Sequence, residues 1–466
     1  MKFLLFGTGD YFERYKKWFR REDVAALLDN SPNKQNTIID GMKVLSPKEG
    51  IRLSFDVIVI LSFYVKEMSL QLIELGVSED KIYHFYDLHK LININEFGKP
   101  IQYYGSARDL IKSGIEETEK KILLLSQDLT LGGPAIALFH AAEVLVKNGK
   151  QVVYASMLDG PLRNKLQTAG ISVIVDVNLQ IETMKDADWI GAFSLILCNT
   201  INYHVFLSER DVSIPVIWWL HDSLFFYDGI DRDILSRLEL TNLRICSVGF
   251  VPKQAIQHFL PDLPVDCLLY GVRDTVGHIN RLSNVDNDKV CFVTIGYIES
   301  RKGQDILVQA IKMLPDEIRE KLVFYFVGQN SSAMARQLKS ETVFMPEVVM
   351  TGTVNRERID EILSEADILI CPSREDPMPT VAAEAMMHGV PCIVSDVTGT
   401  AAYIQDGIDG FVFACGDVEE LATKIAWCVE HKVELPDIGG RSRKIYENHF
   451  SIEIFERNLM RIIEQS

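Results

Sequence analysis

A chain of 466 residues is too long for one hydrophobic core, and ordinary domain sizes divide it into about three. Apolar and aromatic contents of 47% and 9% exclude a disordered chain. A formal charge of -17 excludes general nucleic-acid binding, which needs a basic surface to displace counterions, but leaves room for a local basic groove.

The first apolar run breaks at Gly7-Thr8-Gly9-Asp10, short of a secretory signal, and no run approaches the ~20 residues of a membrane-spanning helix. Trp189–Cys198, among the longest, reads as a buried strand. The expectation is a cytoplasmic protein, soluble or at most peripheral at the inner face of the membrane. All eight cysteines lie after position 197, with none at metal-ligand spacing. The settings of Cys198, Cys291, Cys371 and Cys392 are apolar, so the cysteines are expected to be small hydrophobes in buried strands of a reduced protein.

Short apolar runs alternate with amphipathic stretches, the pattern of an α/β chain with parallel sheets covered by helices. FLLFGTGDYFERYKKWF predicts a strand at Phe3–Phe6, then Gly7-x-Gly9-x-x-Phe12, then a helix; a second strand ends at Asp29. This is part of a dinucleotide fingerprint, with Phe12 in place of the third small residue. Tyr11, Tyr15, Lys16, Lys17, Trp18, Arg20 and Arg21 combine aromatics and cations, which suits either an anionic membrane surface or a solvated helix packing its rings inward. Asn93 to Lys120 is polar and reads as a linker.

KILLLSQDLTLGGPAIALFHAAEVLVKNGK opens the next part with a strand, a Gly132-Gly133 loop and a helix carrying the apolar stripe Leu138, Ala141, Ala142, Leu145. A glycine pair is either a simple turn or a place where backbone approaches a ligand. PVIWWLHDSLFF sets His221 just after an apolar strand, where a histidine is either structural or reaches a ligand; Asp222 is its neighbour. A polar stretch over 274–288 precedes the next strand.

FVTIGYIESRKGQDILVQAI ends a strand at Gly296 and places Arg301-Lys302-Gly303 before a helix; by itself the cation pair reads as a surface charge run. ADILICPSREDPMPTVAAEAMMHGVPCIVSD reads as strand Ile368–Cys371, loop Ser373–Pro379, helix Thr380–His388 and a stop at Gly389. Pro379 suits the first helical turn, whose free N–H groups and positive dipole end seat a pyrophosphate. Asp376 and Glu384 flank that seat, either as sugar-hydroxyl acceptors or as a solvated helix start. FSIEIFERNLMRIIEQS reads as a terminal helix.

Asp376 and Glu384, an acid and a glutamate with seven residues between them, resemble the signature of retaining glycosyltransferases of family 4. The likeness runs from about Lys121 to the C-terminus. Departures are Asp376 for the usual glutamate, PMPT for a Gly-rich stretch, Tyr297 for an arginine and Ala402 for an acid. Glu375 lies one residue out of register.

The resemblance implies a GT-B architecture of two facing Rossmann-like domains, with a small Rossmann-like α/β domain added at the N-terminus. Its expected limits are 1–92 for the added domain, 93–120 for a linker, 121–275 for the acceptor-side domain and 276–447 for the nucleotide-sugar domain. A helix over 448–466 is expected to cross back to the acceptor-side domain. The resemblance further implies a nucleoside-diphosphate-sugar donor in the cleft between the two larger domains and a glycan or lipid-linked acceptor, in bacterial surface polysaccharide synthesis.

By the same resemblance Glu384 binds the ribose, and Gly296, Arg301, Lys302 and the turn Met378, Pro379, Thr380 hold the diphosphate. Thr353 and Val354 hold the base, Gly132 and Gly133 approach the donor, Asp376 and His221 orient the sugar, and Tyr270-Gly271-Val272 is a hinge. No metal or cofactor is expected; the D-x-D strings Asp231-Arg232-Asp233 and Asp286-Asn287-Asp288 are triplets common by chance. Rival readings are a non-catalytic glycosyltransferase-like subunit that binds glycan or a partner enzyme, an oxidoreductase centred on Gly7–Gly9, and a nucleotide-sugar epimerase.

Overall fold

The computed structural model describes residues 1–113, 121–276, 289–329 and 332–466. The Asp286-Asn287-Asp288 string and most of the polar stretch before it lie outside the described residues. The chain forms two compact units, one of Met1–Ile245 with Ala255–Pro264, the other of Cys246–Gln254 with Val265–Gln465; Ser466 falls in the first.

The first unit opens with β1 (Phe3–Phe6), β2 (Val24–Leu28), β3 (Ile38–Ile39), β4 (Met42–Leu45), β5 (Val57–Ile60) and β6 (Ile82–His84), ordered β3-β4-β2-β1-β5-β6. Only the β3–β4 hairpin is antiparallel. Strand order reverses at β1, whose four residues are all buried because both neighbours and the covering helices close over it.

A second sheet is built from β7 (Gln102–Tyr104), β8 (Lys121–Ser126), β9 (Gln151–Ser156), β10 (Ser172–Val175), β11 (Leu195–Asn199), β12 (Val216–Leu220), β13 (Leu243–Ser247) and β14 (Asp266–Cys267). Their order is β14-β13-β12-β11-β8-β9-β10-β7. β7, drawn from the expected linker, adds an antiparallel edge against β10.

The second unit centres on β15 (Val290–Ile295), β16 (Leu322–Val327), β17 (Val348–Gly352), β18 (Ile368–Cys371), β19 (Cys392–Ser395) and β20 (Phe411–Phe413), all parallel, ordered β17-β16-β15-β18-β19-β20. The terminal helix, Ile452–Glu464, is capped by Ser451, which pairs with Val272. Among the described residues no helix is long and apolar enough to cross a membrane.

Two expectations need correction. Trp189–Cys198 is not one strand: Asp188–Ala192 forms a 3-10 turn and the strand begins at Leu195. Apolar character alone does not separate a buried turn from a buried strand. Cys267 and Cys415 are exposed, since one lies on the two-residue edge strand β14 and the other follows β20 in a turn.

The aromatics near the start of the chain follow the inward-packing alternative. Tyr11, Tyr15 and Trp18 are buried, Tyr11 meets the rings of Phe63 and Phe85, and the Trp18 indole donates to Gln180 at 2.7 Å. Burying these rings removes a large apolar area from water.

The core of the second unit is continuous across the sheet, with Phe292 and Phe324 stacked at 4.8 Å between ring centroids. Phe292 is fully buried, so Phe292→Ala leaves a cavity in a core that relaxes only partly. The expected cost is about 3–5 kcal/mol, read as a lower urea midpoint for the second unit in equilibrium unfolding.

Candidate active site

Four strand ends of the second unit build one surface. Gly296 N donates to Val327 O at 2.9 Å, and Gly328 N to Gly352 O at 3.0 Å, so the turns after β15, β16 and β17 lie side by side. A Cβ on Gly328 would stand 1.9 Å from Gly296 O, which only glycine avoids. Open parallel sheets bind ligands at this carboxyl edge, where strand order reverses.

After Gly296 the chain makes the 3-10 turn Ser300–Lys302 and enters the helix Gln304–Met313 through Gly303, at φ +67°. A side chain there would also overlap Pro372 O, at 1.9 Å. This close approach sets the Arg301-Lys302 turn against the loop that follows β18.

Hydrogen bonds then lace the two segments together. Arg374 N donates to Arg301 O at 2.8 Å, and the Arg374 fork spans Asp305 at 2.8 and 2.6 Å. Arg301 Nη1 donates to Glu375 O at 3.1 Å while its Nη2 pairs with Glu299 at 2.8 Å. Lys302 Nζ lies 2.5 Å from Asp376 Oδ2, and the Asp376 side chain is only 7% exposed. From the other side, Gly399 N donates to Asp376 O at 3.0 Å, and Ser395 Oγ to Ser373 O at 2.5 Å.

The helix Thr380–Met387 leaves this loop with Pro379 as its N-cap, not within its first turn as expected, because a ψ of 115° keeps Pro379 extended. Pro379 O accepts from the Tyr270 hydroxyl at 3.1 Å, and Pro379 itself gives the helix no side-chain cap. Met378 is buried beneath the turn. One turn on, the buried Glu384 pairs with Arg356 Nη2 at 2.5 Å. Arg356 heads the helix Arg356–Glu365 just beyond Thr353, which is exposed, and Val354, which is half-buried.

The structure therefore brings Gly296, Arg301, Lys302, Asp376, Met378, Pro379, Thr380 and Glu384 to the strand ends, with Thr353 and Val354 on the loop after β17. Sequence reasoning missed Arg356, Arg374 and Asp305. Their pairings span a strand crossover and leave no local spacing to read.

In the first unit, Gly132 is the exposed N-cap of the helix Gly133–Lys147. Asp128 shapes the turn before it by accepting from Thr130 N at 3.0 Å and Thr130 Oγ1 at 2.5 Å. His221 follows β12, buried against Trp219 at 4.5 Å between ring centroids. Its Nε2 has no hydrogen-bond partner among the described residues. The neighbouring Asp222 is also buried, and its carboxylate accepts the Ile201 N–H at 2.7 Å.

Asp29, the acid after β2, accepts from both Thr8 N and Thr8 Oγ1 and pairs with Lys34. Asp231, first of the described D-x-D acids, caps the helix Arg232–Ser236 and pairs with Lys90. Among the described residues no cluster of three or more metal-ligating side chains occurs.

Residues 279–445 match the model described as glycosyl transferases group 1, residues 118–242 that described as glycosyl-transferase family 4, and residues 1–83 that described as C2185-like, N-terminal. The chain is 26% identical over 172 residues to the sulfoquinovosyl transferase SQD2 of Arabidopsis thaliana, covering 36% of this chain and 32% of that protein. It is 28% identical over 120 residues to the lipopolysaccharide glucosyltransferase WaaG of Escherichia coli (strain K12), covering 26% and 32%. The chain thus spans about a third of the length of these curated relatives. The crystal structure of Anabaena Alr3699/HepE in complex with UDP and glucose superposes with a TM-score of 0.62 at 18% identity, over 75% of this chain and 100% of that one. The fold is GT-B, with two Rossmann-like domains.

Burial pushes the His221 imidazole down to about 3 and that of His204 to about 4, from an ordinary 6.5. The unfolded chain takes up these protons first, so both groups lose stability for the first unit as pH falls below 6.5. Burial pushes Asp222 up from 3.8 to about 6, which acts oppositely and costs stability as pH rises through that range. His221→Asn is therefore expected to lose less stability than the wild type between pH 7 and about pH 5, measured by urea unfolding of the two proteins at both values.

Proposed function

Because residues 118–242 are a glycosyl-transferase family 4 domain and residues 279–445 a glycosyl transferases group 1 domain, we propose that the chain transfers a sugar from a nucleoside-diphosphate sugar to a glycan or lipid-linked acceptor, with retention at the anomeric carbon. The observation that carries this reading is the Lys302–Asp376 pair beside Arg301 and the open first turn of the Thr380 helix. It supplies cations and N–H donors for a diphosphate, with a carboxylate on either side for sugar hydroxyls.

In the proposed reaction Glu384 accepts from the ribose diol, and the backbone at Thr353 and Val354 holds the base. Arg301, Lys302 and the turn from Met378 to Thr380 stabilise the diphosphate. The bond from the anomeric carbon to the diphosphate oxygen breaks as the acceptor oxygen bonds the same face, and the acceptor's proton passes to the departing phosphate. Charge developing on the leaving group meets fixed cations and a helix dipole, so the step uses no metal ion.

His221 is proposed to orient the sugar, on the resemblance together with its buried, unpartnered Nε2. Gly132 and Gly133 are proposed to admit the donor close to backbone. The setting proposed is the cytoplasm, in surface polysaccharide synthesis, like the lipopolysaccharide role that WaaG's name states. Peripheral contact with an anionic membrane, if made through the N-terminal helix, rests on its cations alone, since its rings are buried. The domain limits 1–92, 121–275 and 276–447 are proposed with it.

Purified protein presented with a panel of nucleotide sugars, UDP-glucose first, is expected to release nucleotide from at least one of them. Lys302→Ala is expected to lower that release about a hundredfold or more, the scale of losing one stabiliser of transition-state charge, and Glu384→Ala to raise KM for the donor through loss of the ribose contact, both at lower stability but with a folded circular dichroism spectrum. Near-normal turnover in Lys302→Ala together with an unchanged KM in Glu384→Ala would refute the site.

A further inference from the structure

The N-terminal segment grips the turn ahead of Gly132 from two sides. The Arg14 guanidinium lies 3.4 Å from Asp128 Oδ2, while the other oxygen of that carboxylate takes both donors of Thr130. Asp128 therefore joins the first helix of the chain to the turn that delivers the glycine pair.

The second grip runs through a relay. The Tyr86 hydroxyl donates to Asn202 Oδ1 at 3.1 Å, and Asn202 Nδ2 donates to Gln127 Oε1 at 2.7 Å, one residue before Asp128. Asn202 sits beside Ile201, whose N–H is held by Asp222, the neighbour of His221. Tyr86 is buried and packs edge-on against His204 at 5.1 Å between ring centroids, so its hydroxyl has little freedom to leave.

We propose that the N-terminal segment acts as a positioning part of the acceptor-side site, with Arg14 and Tyr86 as positioning residues that set the Gln127–Gly133 turn and, through Asn202 and Ile201, the approach to His221. Neither residue touches the reacting atoms. Reacting groups held by a locked surrounding shell keep their geometry, and displacement by an ångström costs rate steeply. The inference rests on the reading of Gly132, Gly133 and His221 as site residues.

The test uses the full chain as wild type, Arg14→Ala, Arg14→Lys and Tyr86→Phe. Hydrogen exchange followed by mass spectrometry is expected to speed several-fold over 127–133 in Arg14→Ala and Tyr86→Phe, with 373–384 unchanged. Arg14→Lys, which keeps the charge, is expected to restore most of the protection. In the nucleotide-release assay with UDP-glucose, or the donor found in the panel, kcat is expected to fall about tenfold with KM for the donor unchanged, part of the hundredfold range that misplacement commands.

Unaltered exchange over 127–133 in both variants overturns the proposal, as does acceleration spread evenly through the first unit, the mark of simple destabilisation. The two readings separate cleanly. If the wild type releases no nucleotide from any donor while exchange changes as expected, the transferase reading fails and only the hold of Arg14 and Tyr86 on the 127–133 turn stands.

Discussion

The second unit is organised around a carboxylate that cannot be left alone. Asp376 is almost wholly buried in a loop between a strand end and a helix start, and an uncompensated charge there costs about 3–5 kcal/mol when its partner is removed. Lys302 supplies the partner, but only because Gly303 brings its turn hard against Pro372 O and Arg374 ties that turn to the loop. The loop, the cations and the helix start hold one another in place. On the proposed reading, a diphosphate at this surface meets groups already oriented, with the ordering cost met during folding.

Glu384 shows the same logic one turn further along. A buried carboxylate on a helix of small apolar residues takes a partner from the neighbouring helix, Arg356. Because Arg356 is half-exposed, that pairing is open to exchange with a hydrogen-bonding ligand, whereas the Asp305–Arg374 fork, turned toward the loop backbone, serves as a fastening. On the proposed reading, carboxylates of similar chemistry divide between ligand-facing and structural duties according to what else surrounds them.

The first unit contains an added sheet that is welded to its neighbour by aromatic rings. Tyr11, Tyr15, Phe63, Phe85 and Phe226 form a run of ring contacts, and Trp18 reaches Gln180 with its indole N–H. Such rings contribute far more when buried than when scattered on a surface, which is why a helix rich in both aromatics and cations turned its rings inward. At the Gly7–Gly9 loop the acid after β2, Asp29, is held by Thr8 and Lys34, which ties the turn after β1 to the end of β2.

Much of this protein was legible in the chain itself. Alternation of short apolar runs with amphipathic stretches determined parallel sheets, because strands buried on both faces admit few polar residues, and the strand from Phe3 to Phe6, like that from Ile368 to Cys371, lies where the pattern puts it. Local chemistry likewise determined the loop and helix around Asp376 and Glu384, since proline forbids helix before Thr380 and glycine ends it at Gly389. What remained for the tertiary structure were the choices between partners: Arg356 for Glu384, Lys302 for Asp376, Ile201 for Asp222, Arg14 for Asp128. These pairs join residues far apart in the chain, and whether a charged side chain faces a ligand or a neighbour depends on which strands lie adjacent, which no local spacing encodes.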